Sequence, residues 1–191
     1  NDNMISPEGC MDRRGFLNVD EYFWDEKWNA PMVGSGIQSV IDYGKSVVSG
    51  KEADGITPIQ VADKLDAYAA KALEALPALK AQAGDNMELK ETLNDIEGMA
   101  YLGRYYADKF RGAAKLSIFR ADPTQKKYNK EAVDHLTDAI EDWKAYAAIM
   151  SSQYNSQLLQ RTYYLDWVSV TAEVVKEPAL GARVAECREI K

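Results

Sequence analysis

Histidine is nearly missing from this chain, and cysteine is almost as scarce: 1 and 2 residues of 191. With His135 alone, a ferritin-type di-iron site needing two Glu-x-x-His units cannot be built. Glu131 and His135 lie four apart and share a helical face, yet a zinc site needs more ligands than these, so His135 reads as a surface or boundary residue. A Ser-His-Asp triad has no support either, because the sequence contains no Gly-x-Ser-x-Gly elbow. Cys10 and Cys187 are too few for a structural zinc cluster and too far apart in sequence to form a disulfide framework. They read as two unrelated thiols, with a single bridge between the ends as the alternative in an oxidising compartment. No Gly-x-x-x-x-Gly-Lys-Ser/Thr loop occurs, and no Gly-x-Gly-x-x-Gly follows a strand. The sequence therefore predicts no catalytic residue, no metal and no cofactor.

Long apolar runs and positive charge are also lacking. No stretch has the length and hydrophobicity of a membrane span, and no basic start leads into an apolar run like that of a signal peptide. The net charge is -7. An acidic surface repels a phosphate backbone and an anionic bilayer, which argues against nucleic acid as a partner. Strand patterns are weak, confined to Tyr163-Tyr164-Leu165 and Trp167-Val168-Ser169-Val170.

What is present is helical periodicity. Apolar residues make up 46% of the chain, enough for a sizeable core. Ile37, Val40, Ile41, Gly44 and Val48 mark a helix over 36–49, with Ser35 as its cap and Gly50 after it. Thr57 followed by Pro58 is a strong helix start. Val61, Leu65, Tyr68, Ala72, Leu76 and Leu79 form the expected inner face there, with a kink or break near Pro77. The longest helix is predicted from Met87 to Ala121, roughly 50 Å at 1.5 Å per residue. Its apolar stripe runs Leu89, Leu93, Ile96, Ala100, Gly103, Ala107, Phe110, Ala114 and Ile118. A polar stripe runs Lys90, Asn94, Glu97, Tyr101, Arg104, Asp108, Arg111 and Lys115. Gly98, Gly103 and Gly112 weaken a helix, which predicts close approach of a neighbour there. A fourth helix is predicted over 129–152, capped by Asn129. Its inner face is Ala132, Leu136, Ala139, Trp143, Ala147 and Met150, and Asp134, Asp138 and Asp142 form an acidic outer line. A last short helix is expected over 166–176, ended by Pro178.

Each amphipathic helix must bury its stripe against another, and short turns make neighbours antiparallel. The predicted fold is all-α: an antiparallel bundle of four to five helices over 35–180. It is preceded by an irregular, aromatic-rich segment over 1–34 and followed by a tail or linker over 181–191. The N-terminal segment, with Phe16, Tyr22, Phe23, Trp24 and Trp28, reads as a packing surface for a neighbouring domain, and the whole as a piece of a longer protein. Trp24, Trp28, Arg161, Tyr163 and Trp167 are the candidate ligand-binding residues, because flat rings with a polar edge suit sugar stacking as well as interdomain packing. Carboxylate pairs such as Asp134 with Asp138 read as solvated face, since catalytic pairs need burial to separate their pKa values. The helix beginning at Tyr128 has a faint tetratricopeptide look without the recurrence near 34 residues that a repeat requires.

Two runs carry a resemblance. They are Ala100-Tyr-Leu-Gly-Arg-Tyr-Tyr-Ala-Asp-Lys-Phe-Arg-Gly-Ala-Ala-Lys-Leu and Ala132-Val-Asp-His-Leu-Thr-Asp-Ala-Ile-Glu-Asp-Trp-Lys-Ala-Tyr. Across about Thr57–Trp167 the chain resembles the helical accessory region of large exported bacterial glycoside-hydrolase-like proteins, which often carry a carbohydrate-binding module. The resemblance implies a place between a catalytic-type barrel and a β-sandwich, with neighbouring domains of the same chain, and polysaccharide, as partners. It implies an exported parent, periplasmic, cell-surface or extracellular, and brings no catalytic residue with it. The function so implied is a non-catalytic accessory domain. The alternatives are a helical glycan- or ligand-binding module and a helical-repeat protein-interaction domain.

Overall fold

The computed structural model describes residues 18–23, 31, 34–159 and 163–183. It is an all-α bundle built around one long helix. A 3-10 turn spans Val19–Phe23. The helices are α1 (Val40–Ser49), α2 (Pro58–Gln82), α3 (Met87–Ala121), α4 (Lys126–Gln153), α5 (Trp167–Val174) and α6 (Glu177–Ala182). Between α4 and α5, β1 (Gln157–Leu159) pairs antiparallel with β2 (Tyr163–Leu165), with Leu158 opposite Tyr164. The weak strand signal at 163–165 is thus a short hairpin, while 167–170 is helical.

The ends of the long helices follow local chemistry. Thr57 and Gln60 form a reciprocal capping box, with Pro58 at the first position of α2. The Asn86 side chain accepts from Leu89 N–H and starts α3. The Asp166 carboxylate accepts from Val168 N–H and Ser169 N–H and starts α5. At the end of α1, Gly50 adopts φ 66°, a left-handed value that costs glycine little.

Four predicted details shift. Helix α1 begins at Val40 behind Ser39, because Ile37 is drawn into a parallel bridge with Ile56. Helix α2 runs unbroken through Pro77 to Gln82. Leu76 beside it is buried with Ala83 and Leu93, and that packing holds the turn in place. Asn129 does not cap α4, which starts at Lys126; its amide donates instead to the Gly181 carbonyl at 2.8 Å. Pro178 opens α6 rather than closing α5, where its missing N–H costs no helical bond.

Helix α3 is the axis of the fold, in contact with α1, α2 and α4. Its burial is not the single stripe expected. Leu89 and Ile96 are exposed, whereas Tyr105, Lys109, Gly112 and Leu116 form a second buried line. The inner face of α2 is likewise rotated. Ala62, Ala69, Leu76 and Ala83 are buried at intervals of seven, while Tyr68 is 68% exposed. Small residues there let α2 lie close, so that a Cβ on Gly103 would meet Ala69 Cβ at 3.8 Å. The inner face of α4 is buried as predicted. Gly98 faces Met150, and Gly112 faces Leu136 and the Ala132 carbonyl, so these glycines do admit a close neighbour.

Candidate functional site

The main concentration of buried charge lies where α3, α6 and the 3-10 turn converge. Lys109 and Glu177 are 0% and 1% exposed. Lys109 Nζ is 2.9 Å from Glu177 Oε1. It also donates to the Tyr105 hydroxyl at 3.0 Å, and that hydroxyl donates to Glu177 Oε2 at 3.2 Å. The Val19 N–H is a further donor to the carboxylate. Burial raises the Glu177 carboxyl above its ordinary range, although Lys109 and these donors pull the other way. A carboxylate and an ammonium leave water together at acceptable cost only when each is paired and hydrogen-bonded, and the geometry meets that demand.

A second, half-exposed cluster sits between α2, α3 and α4. Arg111 reaches Asp63 at 2.9 Å, Asp66 at 2.8 Å and Asp108 at 3.2 Å. Asp108 also meets His135 Nδ1 at 3.3 Å. Burial alone would raise the Asp108 carboxyl, but the hydrogen bonds from His135 and Arg111 win and hold it below its ordinary value. One turn away, Arg104 pairs with Asp142 at 3.5 Å. Asp142 is buried, so the predicted acidic outer line is corrected: Asp134 and Asp138 face water and Asp142 does not. Burial and the nearby Asp108, Asp66 and Asp138 raise its carboxyl, against the pull of Arg104.

Both clusters draw on α3. Lys80 meets Glu97 at 2.5 Å and Lys115 meets Glu131 at 2.7 Å, so the polar stripe of this helix is tied to α2 and α4 along most of its length. Opposite charges are here drawn from different helices, which makes them interhelical bonds.

An aromatic row runs beside these pairs. Tyr106, Tyr105, Trp143, Tyr146 and Trp167 follow one another with ring centroids 5.0, 5.1, 5.3 and 5.4 Å apart. The last three contacts are edge-to-face, the arrangement ring quadrupoles favour. The Trp143 indole N–H donates to Thr171 Oγ1 at 2.8 Å. Burial pushes the Tyr146 phenol up to about 12.

Of the five candidate ligand residues, Trp24, Trp28 and Arg161 lie outside the described residues, as do Cys10 and Cys187. Tyr163 begins β2 opposite Leu159. Trp167 opens α5, half-buried, with its ring against Tyr146. Sequence reasoning missed Tyr105, Lys109 and Glu177. The spacing of Tyr105, Lys109, Gly112 and Leu116 at 4, 3 and 4 was the available signal, a second helical line interrupted by one lysine. Among the described residues, no group of three or more His, Cys, Asp or Glu is placed to hold a metal ion, and no helix is long and apolar enough to cross a membrane. Comparison with family models, with curated proteins and with solved structures finds no match for this chain.

Proposed function

We propose that this chain is a non-catalytic helical accessory domain of an exported, carbohydrate-active, glycoside-hydrolase-like protein, bracing the modules beside it. One observation carries the non-catalytic part. Five charged side chains of α3 are committed to partners on other helices: Glu97 to Lys80, Arg104 to Asp142, Lys109 to Glu177, Arg111 to Asp63 and Asp66, and Lys115 to Glu131. Groups held this way bind helices to one another and resist the rearrangement that proton transfer demands. The carbohydrate-active context rests on the sequence resemblance over Thr57–Trp167. The test is to incubate the purified chain with a glycan panel and measure new reducing ends. None is expected, and hydrolysis of any glycan overturns the reading. Deleting the chain from its full-length reading frame is expected to lower the melting temperature of the remaining modules.

A second reading is favoured by Trp167, whose half-buried ring ends the aromatic row at the start of α5. A glycan could stack on its remaining face, with the binding energy coming from ring burial. Tryptophan fluorescence titration separates the two readings. Saturable shifts that vanish in Trp167→Ala support the binding module, and an unchanged spectrum supports the brace.

A further inference from the structure

We infer that Glu177 is a latch that makes the Val19–Phe23 turn and helix α6 dock on the bundle, and leave it, as one unit. The two segments are short, five and six residues. Neither has the length at which helical hydrogen bonding sustains itself, so each depends on what it packs against. They pack largely on the same things. Val19 is fully buried in a cluster with Ala113, Leu116, Ala132 and Leu136, and Leu180 of α6 packs on that cluster too. Gly181 approaches Leu136 so closely that a Cβ there would lie 2.8 Å from its Cδ1.

One side chain carries polar bonds between the segments. The Glu177 carboxylate takes the Val19 N–H from the turn while pairing with Lys109 and Tyr105 of α3. If α6 left alone, that N–H would lose its acceptor, Lys109 its buried counter-ion and the cluster around Val19 part of its apolar cover. If the turn left alone, Glu177 would lose a donor and Leu180 part of its cover. Each departure therefore lowers the cost of the other, which is a coupling free energy and is reciprocal. The far sides are fastened separately. Asp20 pairs with Arg120, and the Arg120 guanidinium lies 4.1 Å from the Phe23 ring centroid. On α6, Asn129 holds the Gly181 carbonyl. The latch consequently joins the two sequence ends of the described fold, so that a load on one is felt at the other.

Hydrogen exchange of the full 191-residue chain, read by mass spectrometry, tests the coupling. Asp20→Asn loosens the turn at its Arg120 side, away from Glu177. Glu177→Gln removes the latch charge from the other side. In both variants exchange is expected to quicken together in 18–23 and 177–182, by at least roughly tenfold, within the usual coupling range of about 5–150-fold. Protection over 87–100, far along α3, is expected to fall by less than protection in these two segments. A rise confined to one segment in either variant, or no rise in either segment of Glu177→Gln, overturns the latch.

Discussion

Lys109 and Glu177 are 68 residues apart in sequence and 2.9 Å apart in space, and neither side chain reaches water. The pair joins the central helix to the last one described, with Tyr105 bonded to both members. Breaking such a pair from one side leaves an uncompensated charge in a dry site. Lys109→Met or Glu177→Gln alone is expected to cost about 3–5 kcal/mol, whereas the double change to matched apolar side chains is expected to recover most of that. Urea denaturation midpoints of the three variants measure it. Equal losses in the single and double variants would mean that shape, rather than charge pairing, matters at this site.

The glycines of α3 divide by what stands opposite them. A Cβ at Gly112 would lie 2.9 Å from Leu136 Cγ and 3.3 Å from the Ala132 carbonyl oxygen. Gly112→Ala is therefore expected to destabilise by about 1–3 kcal/mol despite alanine's better helix propensity. At Gly103 the nearest atoms are 3.8 and 3.9 Å away, ordinary contact distances. Gly103→Ala is expected to stabilise by up to about 1 kcal/mol. Thermal melts of both variants give opposite signs if this reading is right.

Acid sensitivity follows from Asp108, whose carboxyl is held below its ordinary 3.8 by His135 and Arg111 after burial has pushed the other way. A lowered folded-state pKa means the unfolded chain takes up its proton first as pH falls. The stability due to Asp108 is thus complete above the ordinary value and is lost as pH drops through the lowered one. Asp108→Asn is expected to be less stable at neutral pH, with a flatter decline below about pH 4. Denaturation midpoints measured from pH 7 downward check the slope, and parallel curves would contradict it.

Much of the bundle is legible in the sequence because its helix ends are written in local chemistry. Thr57-Pro58 and Asn86 fix helix starts through caps that need no tertiary context. Facing is harder to read. Tyr68 and Leu79 look like core by spacing, yet α2 turns its alanines inward because small side chains permit a closer helix pair. The cluster around Lys109 is illegible for a related reason. A lysine in a helical line reads as solvent-facing, and only the fold brings Glu177 from a distant segment to neutralise it. Pro178 misleads through its ordinary role as a helix stop, when here it occupies the start of α6.

The ion-paired stripe of α3 is the core of the account, and Arg111 is its most heavily partnered residue, bonded to Asp63, Asp66 and Asp108. The direct test combines stability and chemistry on one variant, Arg111→Met, using urea denaturation and the reducing-end assay on the glycan panel. A lower midpoint is expected, by about 1–3 kcal/mol for a part-buried charged network, with no glycan hydrolysis in variant or wild type. Hydrolysis by the wild-type chain that disappears in Arg111→Met, with the midpoint unchanged, would contradict it.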